Sequence, residues 1–262
     1  MTLKTSALTT IGVVALSTVW ASTFALSPAS AAVTTISSSS TVLNVSLTIP
    51  GLISVTIGPL LPAAGSAPPP YNVTNSLPSL SLPLLGLTTG SLTDTASSSF
   101  PPTETGTATS TADDFSLDLR SIFDLSATTI SSTSSVNGTP SATGSTTIAD
   151  LSLTVAGQTI TFSGTPSAND VILSLPGLTV SLNQQIPDTN ETAGITTNAI
   201  AIDFTNFAIG PNHVNGAVDI GQSMASIGVI PEPATWVEML AGFGAIGLLT
   251  WGRTRAQGAA RV

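Results

Sequence analysis

Apolar residues alternate with small polar ones over most of this chain, and the alternation has a period of two. Leu43, Val45, Leu47 and Ile49 are interleaved with Asn44, Ser46 and Thr48, and after Pro50-Gly51 the pattern resumes at Ile53, Val55 and Ile57. Successive side chains of a strand point to opposite faces, so this stretch predicts two strands around a turn. Phe115, Leu117 and Leu119 alternate in the same way with Ser116, Asp118 and Arg120. Leu151, Leu153 and Val155 lead through Ala156-Gly157 to Ile160 and Phe162, which predicts a hairpin. Val171, Leu173 and Leu175 pass through Pro176-Gly177 to Leu178, Val180 and Leu182, and Ile200, Ile202, Phe204, Val218 and Ile220 extend the series. No stretch between Val33 and Ile230 carries a helical period, so this region is expected to be all-β. Strands with one apolar face bury it in a sandwich or barrel. Ala67-Pro68-Pro69-Pro70, Leu77-Pro78 and Leu82-Pro83 belong at edges and in loops, because proline cannot donate to a ladder.

Both ends of the chain depart from this pattern. Residues 1–32 carry Lys4, an acid-free apolar stretch from Ala7 to Leu26, then Pro28 and the small-residue run Ala29-Ser30-Ala31. This is the layout of a secretory signal helix, with signal peptidase cutting after Ala31 or Ala32. At the other end, residues 231–262 begin with Pro231-Glu232-Pro233 and continue as an apolar run of 19 residues from Ala234 to Gly252, followed by Arg253 and Arg255. At ~1.5 Å per residue this run reaches ~28 Å, close to the ~30 Å of bilayer hydrocarbon, so one transmembrane helix is expected. Arg253, Arg255 and Arg261 then mark the cytoplasmic side, and the bracketed residues 33–230 form the exported domain. Glu238 falls toward the outer end of the span, where a carboxylate can reach the interface.

The order Pro231-Glu232-Pro233, Ala234-Thr235-Trp236, a Gly-rich apolar stretch (Leu240 to Leu249) and arginines closely resembles the PEP-CTERM sorting signal of exported bacterial proteins. The resemblance implies recognition and processing by an exosortase-type enzyme, with Pro231, Glu232, Pro233, Arg253 and Arg255 as the signal residues. The exported part resembles the choice-of-anchor P family of bacterial surface proteins. The likeness rests on Ile57-Gly58-Pro59-Leu60-Leu61-Pro62, Thr88-Thr89-Gly90-Ser91-Leu92-Thr93, Ser145 to Leu153, Leu173 to Asn183 and Thr197 to Ile200. It implies a shared ectodomain carried on varying C-terminal anchors, and it brings no catalytic residues with it.

Charge changes the picture further. Only 7% of residues are charged, against ~25% in ordinary domains, and the 262-residue chain has a formal net charge of −9. Between Val33 and Ile230 the only base is Arg120, so the region repels phosphate backbones, and nucleic acid is excluded as a partner. The strand-rich part after Ile148 holds six acids (Asp150, Asp170, Asp188, Glu191, Asp203, Asp219) and no base, few charges to guard sheet edges against self-association. There is no cysteine, so stability outside the cell comes from packing and pairing. Serine and threonine supply 77 residues, and their clusters at Ser37 to Thr41, Ser97 to Ser99, Thr103 to Thr111 and Ser131 to Ser135 are expected to be loops or linkers.

Candidate chemistry is sparse. The one histidine, His213, follows Pro211-Asn212, and no Gly-x-Ser-x-Gly elbow accompanies it, so it is expected to be a loop residue. One histidine and no cysteine leave too few ligands for zinc. Asp113, Asp114, Asp118 and Asp124 form the densest acidic group; on strands, Asp114, Asp118 and Asp124 would share a face, with a solvated face favoured over a calcium site. The sequence therefore points to a non-enzymatic, cofactor-free exported protein of the cell surface or extracellular matrix, structural or adhesive. The alternative is a carbohydrate-binding β-sandwich that retains exopolysaccharide, with Tyr71 as the contact residue, and a secreted hydrolase comes third.

Overall fold

A computed structural model describes residues 33–230, except 51–52, 84–85, 101–103, 120–122, 139–140, 156 and 210, together with Phe243. The expected signal helix, its cleavage residues Ala31 and Ala32, and the sorting residues Pro231, Glu232, Pro233, Arg253 and Arg255 lie outside the described residues. Among the described residues no helix is long and apolar enough to cross a membrane.

Among the described residues the all-β expectation holds: fifteen strands form two antiparallel sheets. In one, β12 (Asp170–Leu175), β13 (Leu178–Pro187), β14 (Ala193–Ile209), β15 (Asn212–Ile230) and β1 (Val33–Ile49) follow in order. The outer side of β1 is shared by β2 (Ile53–Leu60) and β3 (Ala63–Ala67). In the other, β11 (Gln158–Gly164), β10 (Ser141–Val155), β9 (Phe123–Asn137) and β8 (Thr105–Leu119) are adjacent. The outer side of β8 is divided between β6 (Leu87–Thr89) and β7 (Leu92–Ser99), which pair in turn with β5 (Leu80–Leu82) and β4 (Asn72–Leu77). Pro68, Pro69 and Pro70 carry the chain from one sheet to the other, and residues 165–169 carry it back.

The turns read from the pattern are the ones found. Ile49 pairs with Ile53, Val155 with Gln158 and Leu175 with Leu178. The serine and threonine clusters contradict the loop reading. Ser37 to Thr41 lie in β1, Ser97 to Ser99 in β7, Thr105 to Thr111 in β8 and Ser131 to Ser135 in β9. Several of their buried hydroxyls, among them Ser40, Ser132 and Ser134, are satisfied between strands, which lowers the cost of burying them.

The inward parity of the long strands switches partway along. On β8 the buried residues are Ala108, Ser110 and Ala112, then Phe115 and Leu117; on β10 they are Thr146 and Ile148, then Leu151, Leu153 and Val155. On β1 they run Ile36, Ser38 and Ser40, then Leu43, Val45 and Leu47. A strand keeps one parity unless a residue is accommodated out of step. That residue has left-handed backbone at Asp114 (φ 46°), Asp150 (φ 52°), Asn183 (φ 49°) and Gly221 (φ 62°). These residue types enter that region at least cost. The four lie on β8, β10, β13 and β15, alternate strands of each sheet.

The switches line up across each sheet and divide the interior. Beyond them, toward the β1–β2 and β14–β15 turns, lies an apolar core that includes Leu43, Phe115, Leu125, Leu151, Leu182, Ile202 and Val218. On the other side small hydroxyl residues face each other, and a second apolar cluster of Ile36, Ala67, Val136, Ala225 and Ile227 closes that end.

Candidate functional site

Two polar regions arise where the parity switches, one between the sheets and one on the outside. Between the sheets, Ser132 Oγ on β9 lies 3.0 Å from Ser223 Oγ on β15, and Ser134 Oγ lies 2.9 Å from both Thr197 Oγ1 on β14 and the Ser223 carbonyl oxygen. Thr146 Oγ1 donates to Asn183 Oδ1 at 3.2 Å, and Ser40 Oγ donates to the Thr95 carbonyl at 3.1 Å. These hydrogen bonds join strands of opposite sheets, a task that apolar side chains perform in the other half. Gly144 keeps the approach open, since a Cβ there would collide with Thr197 Oγ1.

Outside, on the solvent face of β8, β9 and β10, Asp114, Thr128 and Asp150 form one transverse row. The Asp113–Thr129 and Phe115–Ala127 pairs set Asp114 opposite Thr128, and the Ala149–Thr129 and Ser152–Ser126 pairs set Asp150 opposite Thr128 from the other side. Thr128 Oγ1 donates to Asp150 Oδ2 at 3.2 Å, and the Asp150 amide donates to Ser163 Oγ at 3.3 Å. Two shallow depressions meet at Asp150. One, of about 320 Å³, is lined by Ser152, Thr161, Phe162 and Ser163; the other, of about 280 Å³, by Asp114, Ser116, Ser126 and Thr128. The shallow groove they form presents hydroxyls, two carboxylates and one partly exposed ring, Phe162.

The acidic group read from the sequence divides between two settings. Asp114, Asp118 and Asp124 share the solvent face, as expected, and Asp118 is the register partner of Asp124. Asp113 is held instead by Ser91 Oγ at 2.5 Å and Thr129 Oγ1 at 3.1 Å. Among the described residues no group of three or more histidine, cysteine or acidic side chains is arranged to hold a metal. His213 lies in β15 rather than in a loop; it is exposed and its Nδ1 lies 3.3 Å from the Asn206 carbonyl oxygen.

Tyr71 is committed to packing. Its hydroxyl is 2.7 Å from Ser38 Oγ, its amide donates to Ser98 Oγ at 3.2 Å, and its ring covers Gly65 so closely that a Cβ would strike ring carbons. Burial raises the phenol pKa, partly offset by the hydrogen bonds with Ser38.

On the outer face of the first sheet, Asn198 Nδ2 donates to Gln184 Oε1 at 2.8 Å and to Asp219 Oδ1 at 3.2 Å, while Gln222 Nε2 donates to Asn198 Oδ1 at 2.9 Å. Burial, and then the charge of Asp203, push the Asp219 carboxyl up to about 6.

Sequence reasoning missed the interior hydroxyl belt and the outer row. A signal for both was present: Thr146 and Ile148 keep one parity and Leu151, Leu153 and Val155 the other, with Asp150 at the break. Comparison with family models, with curated proteins and with solved structures finds no match.

Proposed function

We propose that the protein is an exported bacterial protein of the cell surface or extracellular matrix. It is held in the inner membrane by its C-terminal apolar run until an exosortase-type enzyme acts at Pro231-Glu232-Pro233, and its role is structural or adhesive. The observation that supports this reading is the pairing of Val33 with Ile230, the first and last residues of the sandwich, on adjacent antiparallel strands. A cleaved N-terminus after Ala31 or Ala32 and a tail beginning at Pro231 would leave from the same end. The opposite end, with the β1–β2, β8–β9 and β14–β15 turns, is then directed away from the membrane. Replacing Pro231-Glu232-Pro233 by alanines tests it: loss of processing and retention in the inner membrane are expected, and unchanged mass and location would refute it.

A second reading, a carbohydrate-binding sandwich associated with exopolysaccharide, is favoured by the outer groove. Asp114 and Asp150 offer acceptors for sugar hydroxyls, Ser126 and Thr128 offer both donors and acceptors, and Phe162 offers an apolar face. Glycan binding on this reading is lost in a double Asp114→Gly, Asp150→Gly variant, in which glycine accommodates the positive φ of both positions. Glycan-array binding that survives in that variant would place the contact elsewhere, and no binding by the native protein would eliminate the class.

A further inference from the structure

A carboxyl group lies between the sheets with no charge to balance it. Asp94 on β7 is completely buried, and neither of its carboxylate oxygens has a hydrogen-bond partner. Its register partner on β8, Ser110, is also completely buried, and its hydroxyl is likewise unpartnered. The strands packed around it bring no charge to balance it. On β4 its register partner is Asn75, whose Nδ2 donates to the Pro62 carbonyl at 2.6 Å. On β1 Ser40 and Val42 face it, and neither β1 nor β3 contains an ionisable residue. On β8 Asp113 is already bonded to Ser91 and Thr129.

An ionised carboxylate in such a place is far costlier than a protonated one, because the charge is sealed from solvent with no counter-charge, and the nearby Ser110, Ser40 and Val42 donors offset only part of that cost. The strand that carries it is also the easiest part of the sandwich to move. β7 is separated from the edge of its sheet by the six-residue β4 alone. We propose that Asp94 is a proton-operated latch: protonated, it lets β4 and β7 stay seated against β1; ionised, it drives this pair of strands away from β1 and admits water to the hydroxyl belt.

Burial raises the Asp94 carboxyl from 3.8 to about 7, with the nearby Ser110 and Ser40 and the Val42 amide pulling the other way. The folded chain therefore holds a proton that the unfolded chain has already released. The sign follows: this group costs stability progressively as the pH rises from about 4 to about 7, and the full cost persists above that. Closure is favoured in acid and opposed in neutral to alkaline surroundings.

The test compares the purified full chain with Asp94→Asn, an isostere that cannot ionise. Melting curves from pH 4 to pH 8 are expected to show the wild type losing ~10³-fold in folding constant relative to the variant, with the two alike at pH 4. Asp219 is present in both and cancels. Hydrogen exchange, corrected for intrinsic rates, is expected to accelerate in β4 and β7 of the wild type above pH 7 while β14 and β15 stay protected. Carbon-13 NMR of the wild-type Asp94 carboxyl provides a reading that does not depend on the variant folding. A midpoint near 7 supports the latch, and a midpoint near 4, parallel melting curves or uniform exchange would overturn it.

Discussion

Ser134 on β9 and Thr197 on β14 meet between the sheets with their hydroxyl oxygens 2.9 Å apart, both side chains completely buried. A hydroxyl pair at the centre of a sandwich stabilises only while it is mutually satisfied; an orphaned partner costs about 1–3 kcal/mol. Ser134→Ala is therefore expected to lower stability by roughly that amount, and Ser134→Val by more, because the added methyls have no space between Thr197 and Ser223. Denaturant unfolding measures both. Equal stability of Ser134→Ala and wild type would show that the belt contributes nothing.

Gly144 offers a steric test of the same interface. A Cβ at this position would overlap Thr197 Oγ1 and press on Gln185 Cδ at 3.2 Å. Gly144→Val should force β10 away from β14 and cost about 1–3 kcal/mol or more by overpacking. A small effect would mean that the two sheets separate easily at this point. Melting temperature reads the result, at roughly 2–4 °C per kcal/mol for a domain of this size.

Asp114 and Asp150 are predicted to separate conformation from chemistry. Both have positive φ, so glycine should substitute without loss of stability, whereas valine should cost about 1–2 kcal/mol at each site. Thermal melts of the four single variants check this. If Asp150→Val melts with the wild type, the left-handed backbone is not required for the change in parity.

Asp219 supplies a pH prediction with a definite sign. Its carboxyl is raised from 3.8 to about 6 by burial and then by Asp203. A raised carboxylate pKa means that the folded state retains the proton longer, so the contribution is unfavourable above about 6 and absent near pH 4. Asp219→Asn is expected to raise the melting temperature at pH 7 and leave it unchanged at pH 4. The same gain at both pH values would point to packing rather than ionisation.

The strand pattern was legible where large apolar residues alternated with polar ones, as at Leu151 to Val155 and Leu178 to Leu182. It was not legible at Ser131 to Ser135, because serine and threonine carry the same polar signal in a loop as in a strand whose inward hydroxyls find partners across a sandwich. That distinction depends on Ser223 and Thr197, which are remote in sequence from Ser134. The shared solvent face of Asp114, Asp118 and Asp124 was readable from their even spacing. The alignment of Asp114 with Asp150 was not, since it requires the registers of β8 with β9 and of β9 with β10. Asp94 gave no sign of its position: Leu92, Asp94 and Ala96 share one parity, and the sequence does not reveal that its neighbours across the sandwich bring no counter-charge to it.

The most direct test of the central claim is the intact mass and cell fraction of the native protein beside a variant with Pro231-Glu232-Pro233 replaced by alanines. The account predicts a wild type that begins near Val33, has lost its C-terminal apolar run and leaves the inner membrane, while the variant keeps the run and stays there. Full-length tails on both proteins in the same fraction would contradict it.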